Sequence, residues 1–271
     1  AMQQLYNFYT PPALQLFYIG INNRSPKLND KKVRRALAHT LDIDAIIRDL
    51  YSGMAQRVAG PFHPTKSYYN KNLVPIPYDL DKARTLLEAA GWKDTNGNGV
   101  VDKTLNGKQT ELELDYLASA SSKFSMSLAL VFKENAAKAG IKINIIPKDF
   151  PLLIESLKRR EYELNGGAWV AEPLPDDPKQ LWHTESDTPD GGNRVGFGNA
   201  TSDALIDEIR VTLDEEKRAD LYRKFQELVY EEQPCIFMIA PQERLVIHKR
   251  FEARPSALRP GFFVNEFVVK R

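Results

Sequence analysis

The stretch "TELELDYLASASSKFSMSLALVFKENAAKAGIKINIIP", residues 110–147, constrains the fold more than any other. Leu112, Leu114 and Tyr116 alternate with Glu111, Glu113 and Asp115. A period of two marks a strand with one buried face. A helical run follows and is ended by Gly140, and "IKINIIP" reads as a second strand. A strand, a helix and a strand in this order form a crossover, which requires parallel pairing and an α/β fold.

The flanking sequence extends that pattern. In "LNDKKVRRALAHTLDIDAIIRDLYSG", Asn29 or Asp30 caps one helix with Val33, Ala36 and Leu37 on its apolar face. Asp42 caps the next, with Ile43, Ile46, Ile47 and Leu50 inward and Gly53 as its stop. Residues 60–78 hold four prolines and read as an extended loop. Asp79 opens a helix carrying Ala83, Leu86, Leu87 and Ala90, ended at Gly91. "DFPLLIESLKRREYEL" gives a further helix, whose "KRR" reads as a solvated face, and "ELNGGAWVAE" runs as a strand into a loop. Residues 173–202 are too rich in Pro, Asp, Gly and Asn for regular structure. Two helices, at about 203–213 and 214–231, precede the strands "PCIFMIA" and "ERLVIHK". Cys235 sits in the apolar run and is expected in the core.

Composition excludes several function classes. A net charge of +1 over 271 residues gives no nucleic-acid surface. No apolar run approaches the ~18 residues a membrane span needs. The start, "AMQQLYNFYT", has no leader pattern, so the sequence is expected to begin at an internal point of a longer protein. The four histidines are scattered without metalloprotease spacing, and no GxSxG, Walker or dinucleotide fingerprint occurs. An acid pair assembled only in three dimensions would escape this reading, which leaves a hydrolase as the rival class.

"GWKDTNGNGVVDK", residues 91–103, carries a calcium-loop pattern: Asp94, Asn96, Asn98, Val100 and Asp102 fall at alternate ligand positions. The twelfth position is Leu105, where a bidentate Glu belongs, and a strand rather than a helix follows. Asx-rich turns with Gly also form without metal. The expectation is a structural turn, with Ca2+ as a candidate ion.

Taken together, "LNDKKVRRALAHTLDIDAII", "YDLDKARTLLEAAGWKDTNGNGVVD" and "GGNRVGFGNATSDALIDEI" with "DEEKRADLYRKFQELVYEEQP" resemble the peptide/nickel family of extracellular solute-binding proteins, receptor subunits of ABC importers, over residues 17–250. The resemblance implies an α/β, periplasmic-binding-protein-like type II lobe, the C-terminal half of a two-lobe protein. On that basis residues 1–20 would be a hinge segment and 21–240 the ligand-binding lobe. Residues 241–271 would return through the hinge. It further implies a monomer without catalysis, outside the cytoplasm, periplasmic or held as a lipoprotein. It would capture an oligopeptide in the cleft and hand it to ABC permease subunits. Receptors for oligosaccharides or metal complexes are the alternative in the same fold; a calcium-stabilised hydrolase is the alternative from another class.

The family's anchor for a peptide ammonium is a Trp followed three residues later by an acid; here these positions are Trp169 and Glu172. A carboxylate in a closed cleft makes a charge-assisted bond to an ammonium, and Trp offers an apolar face. Gly166 and Gly167 are expected to leave room for a ligand backbone. The family's commoner acid is Asp, and some members carry Arg where Gly166 stands. The bland reading makes Trp169 half core and Glu172 a loop acid. Phe150 matches a cleft-facing position and equally suits a core staple at a helix start. Trp182, His183, Asn193 and Arg194 fall in the long polar segment that resembles the cleft-edge loop.

Overall fold

A computed structural model describes residues 2–270, with no description of the side chains of Met2 and Gln3. After a short helix α1 (Met2–Leu5) come strands β1 (Tyr6–Tyr9) and β2 (Gln15–Ile21). Helices α2 (Lys31–His39) and α3 (Ile43–Leu50), strand β3 (Ala55–Arg57) and helix α4 (Leu80–Ala89) follow. Next are β4 (Asp102–Leu105), β5 (Lys108–Glu111), β6 (Glu113–Ser119), α5 (Lys123–Ala137), β7 (Lys142–Lys148), α6 (Phe150–Lys158) and β8 (Leu164–Val170). The chain continues through α7 (Lys179–Trp182), α8 (Ala200–Val211), α9 (Glu215–Glu232), β9 (Cys235–Pro241), β10 (Leu245–His248), β11 (Phe251–Glu252) and β12 (Val268–Val269).

The helix starts are set by the expected side chains. Asp30 accepts from the Lys32 amide, Asp42 from Ala45 and Asp79 from Lys82. Each satisfies an N–H that the helix itself leaves unpaired. Leu50, expected inward, is 40% exposed: it lies in the last turn of α3, past the end of the strip that meets the sheet.

Six strands form one sheet in the order β3-β9-β2-β8-β6-β7. β6 pairs in parallel with β7 and with β8, as the crossover requires. From β8 outward the pairing is antiparallel: β8 to β2, β2 to β9, β9 to β3. The sheet is therefore mixed. Its centre includes β2, an apolar run whose two faces are both used. Phe17, Ile19 and Ile21 join one core with α2, α4 and α5, while Leu16 and Tyr18 join the other with α8 and α9. β9 divides likewise, with Ile236 and Met238 on the first side and Cys235 and Phe237 on the second. All seven residues of β9 are buried, as expected of a strand covered on both faces. A boundary at residue 20 falls inside β2, so the sheet-forming unit takes in residues from Gln15 onward.

Direction fixes what lies at each end of the sheet. β6, β7 and β8 run the same way, and their carboxyl ends are Ser119, Lys148 and Val170. β2 starts at this edge, where Gln15 is opposite Val170. β1 enters just before β2, and it pairs with β10 in a separate two-stranded ribbon.

Candidate functional site

Ligands of open α/β sheets bind outside the carboxyl ends of the strands, where connections diverge. At that edge, β8 ends and a strap beginning at Ala171 leads away. A cavity of about 540 Å³ opens there between Trp169, Glu172, Leu174, Asp176 and Trp182 on one side and Leu16, Phe62 and His63 on the other.

Trp169 is half-buried and stacks on Tyr18 at 3.7 Å between ring centroids, with 14° between planes. Trp182 meets its edge at 5.4 Å. The stack has a steric condition. A Cβ on Gly167 would lie 2.6 Å from the Tyr18 ring, and one on Gly166 would lie 2.6 Å from the Tyr116 hydroxyl. These glycines make room for two tyrosines of the protein, not for the backbone of a ligand, which corrects the expectation from sequence.

Three carboxylates line the cavity: Glu172, Asp176 and Asp177. Asp176 accepts from the Tyr68 hydroxyl at 2.7 Å and faces Lys66 at 3.8 Å. Burial pushes its carboxyl up, opposed by the Tyr68 bond and Lys66. Asp177 pairs with Arg210 at 3.2 Å. Glu172 is exposed, and among the described residues no cation pairs with its carboxylate.

His63 has no exposed surface. Its Nε2 lies 3.0 Å from the Ala13 carbonyl, which can only accept, so Nε2 carries the proton. Nδ1 then accepts from the Thr65 hydroxyl at 2.7 Å. Burial lowers its pKa. A neutral ring with both nitrogens engaged is a poor base, and among the described residues lining the cavity none carries a hydroxyl or thiol.

The other candidates are placed as follows. Phe150 stands 62% exposed at the start of α6, just past the carboxyl end of β7. It is on the same sheet edge as the cavity but outside its wall, and it is not a core staple. Trp182 lines the cavity yet is 3% exposed, packed against Phe197 and Phe237. Asn193 is wholly buried: its amide donates to the His183 and Phe197 carbonyls and its oxygen accepts from Gly196 and Phe197. Every polar atom of that side chain is spent on its own loop. The Arg194 carbonyl accepts from Arg24 at 2.9 Å and from the Tyr162 hydroxyl at 2.9 Å. Arg24 lies beyond the far end of β2, so Asn193 and Arg194 are tied away from the cavity.

The turn at 94–102 is closed by its own side chains. Asp94 accepts from the backbone N–H groups of Gly97, Asn98 and Gly99. Asn96 accepts from Asn98, and Asn98 from Val100. Asp102 points inward, 1% exposed, and takes the Thr95 amide and hydroxyl, which hold its carboxyl below the usual range. Among the five candidate calcium positions, Asp94, Asn96 and Asn98 thus spend side-chain oxygens on the turn's own N–H groups, and Asp102 on Thr95. Among the described residues, no group of three or more His, Cys, Asp or Glu side chains is placed to hold a metal. No described helix is long and apolar enough to cross a membrane.

Sequence reasoning missed Tyr18, Lys66, Tyr68 and Asp176. Each acts through a partner far away in the chain, such as Lys66 on carbonyls 106 and 108 residues further on. No local spacing signals such pairs.

Comparison with known proteins points the same way. A family model described as "Bacterial extracellular solute-binding proteins, family 5 Middle" matches residues 1–192. The oligopeptide-binding protein AppA of Bacillus subtilis is 29% identical over 247 residues, covering 90% of this chain and 44% of that protein. Heme-binding protein A of Haemophilus influenzae is 28% identical over 225 residues, 82% of this chain and 39% of its own. The chain thus spans less than half the length of these relatives. The solved structure of Bacillus subtilis AppA with a nonapeptide superposes with a TM-score of 0.84 at 25% identity, over 98% of this chain and 53% of that one.

Proposed function

Because this chain belongs to family 5 of the bacterial extracellular solute-binding proteins, a family of binding proteins and not of enzymes, we propose that it is the carboxyl-side lobe of a two-lobe peptide receptor. The cavity at the carboxyl edge of the sheet is its share of the ligand site. The observation that carries this reading is Glu172. It is an exposed carboxylate with no cation paired to it among the described residues, set three residues past an aromatic wall. Glu172 would take the peptide ammonium, Trp169 would cover the first side chain, and Phe150 would stand at the cleft rim.

The β1–β10 ribbon would be the crossing between lobes, with residues 241–271 returning through it. Closure of the lobes and delivery to the permease of an ABC importer outside the cytoplasm complete the proposed cycle. The heme-binding relative favours a metal complex as the second ligand class.

The test is titration of the two-lobe receptor with tri-alanine. Removing one partner of a desolvated charge pair costs about 2–5 kcal/mol, so Glu172→Gln should weaken binding at least ~30-fold. The melting temperature of the ligand-free protein should not change, since Glu172 holds no part of the core. N-acetyl-tri-alanine should bind the wild type as weakly as tri-alanine binds the variant. Equal affinity of the wild type for both peptides would rule out the ammonium anchor.

A further inference from the structure

Three prolines, Pro173, Pro175 and Pro178, interrupt the strap that carries Glu172 away from β8. Proline has no N–H to give, so the carbonyls here depend on donors from elsewhere. They find one ammonium. Lys66, 9% exposed, donates to the Glu172 carbonyl and, at 2.6 Å, to the Leu174 carbonyl. Its counter-charge is Asp176 at 3.8 Å. Asp176 is pinned in turn. The Tyr68 hydroxyl donates to its carboxylate at 2.7 Å and accepts its backbone N–H at 2.9 Å, and the Tyr222 hydroxyl donates to its carbonyl. Tyr68 and Tyr222 are stacked, 4.0 Å between centroids.

A buried ammonium is costly, and an apolar side chain in its place is often neutral or stabilising. The cost at Lys66 is offset by bonds to a single segment, the strap. Of the ionisable side chains that segment offers the cavity, Asp176 and Asp177 are already paired, which leaves Glu172.

We propose that Lys66 is a positioning residue for ligand capture: by holding the carbonyls of Glu172 and Leu174 it fixes the peptide planes around Pro173 and so sets where the Glu172 carboxylate points. This rests on the reading of Glu172 as the ammonium anchor. It adds a requirement that a polar contact on the far side of the strap be kept for the anchor to work.

Hydrogen exchange on this chain and peptide titration of the two-lobe receptor test it together. Lys66→Met should speed exchange of the strap's two bonded amides, Ala171 on the Leu14 carbonyl and Asp176 on the Tyr68 hydroxyl, at least ~10-fold, while amides of β9 and α9 stay within about 2-fold. In the receptor the same variant should lose at least ~10-fold in affinity for tri-alanine and less than about 3-fold for N-acetyl-tri-alanine. Lys66→Arg, which keeps the donors, should restore most of both. Should Lys66→Met fail to fold, Tyr68→Phe loosens the Asp176 end of the strap and should speed exchange at Asp176 while lowering tri-alanine affinity selectively. Unchanged strap exchange, or equal losses for the two peptides, overturns the proposal. Wild-type discrimination that survives in Lys66→Met overturns it while leaving the Glu172 reading intact. A wild type that never discriminates overturns both.

Discussion

At the scale of single residues, burial decides more than charge count. His39 and His63 are both buried, and burial lowers the pKa of each, the Pro77 and Ala13 carbonyls opposing the shift. The folded protein therefore holds them neutral at a pH where the unfolded chain would protonate them. Their contribution is fully present above about pH 6.5 and is lost as pH falls through the lowered folded values. Urea unfolding should show stability declining below about pH 6.5, by up to ~1.4 kcal/mol per pH unit for each ring. His63→Gln, which takes up no proton, should flatten part of that decline; an unchanged slope would show that His63 titrates freely. The family resemblance, through its W-x-x-E positions, singled out Trp169 and Glu172, and both line the cavity. His63 was not legible in the sequence, because its burial and its tautomer are set by distant segments, the Ala13 carbonyl on its Nε2 lying 50 residues earlier.

At the scale of elements, local signals were reliable and long-range pairing was not. Caps at Asp30, Asp42 and Asp79 and the alternation along β6 follow from the sequence. β2 does not: "QLFYIGI" has no alternation, because a strand buried on both faces needs none. The same pairing explains Gly166 and Gly167, which look like free space in one dimension and are filled by Tyr116 and Tyr18 in three. Gly167→Ala should lower stability by about 1–3 kcal/mol, the usual cost of overpacking. Denaturant unfolding checks this, and a neutral substitution would mean that the Tyr18–Trp169 stack yields easily. In the turn after α4, Asp94 holds three backbone N–H groups. Asp94→Ala should lower the melting temperature by about 2–4 °C. Millimolar calcium should move the wild type by less than about 2 °C. A large calcium shift abolished by that substitution would reassign the turn as a metal site.

At the scale of the molecule, apolar side chains stand open on the edge where the cavity lies. Phe150 is 62% exposed, Leu152 56%, Val170 70% and Leu174 74%. Ligand sites of this kind bury most of their ligand, and a cavity open on this edge encloses only part of one. The chain by itself should bind tri-alanine with a dissociation constant weaker than about 100 µM. Low-micromolar binding in a calorimeter would show that one lobe suffices. The arrangement of tryptophans has an optical consequence. Trp92 and Trp182 are sealed in the two cores, 2% and 3% exposed, and Trp169 is the one left half open, on the cavity wall. Emission that iodide or acrylamide can quench therefore comes from one indole. A quencher thus measures solvent access to the cavity mouth directly, without a label, and its fading effect on titration would report the mouth being covered.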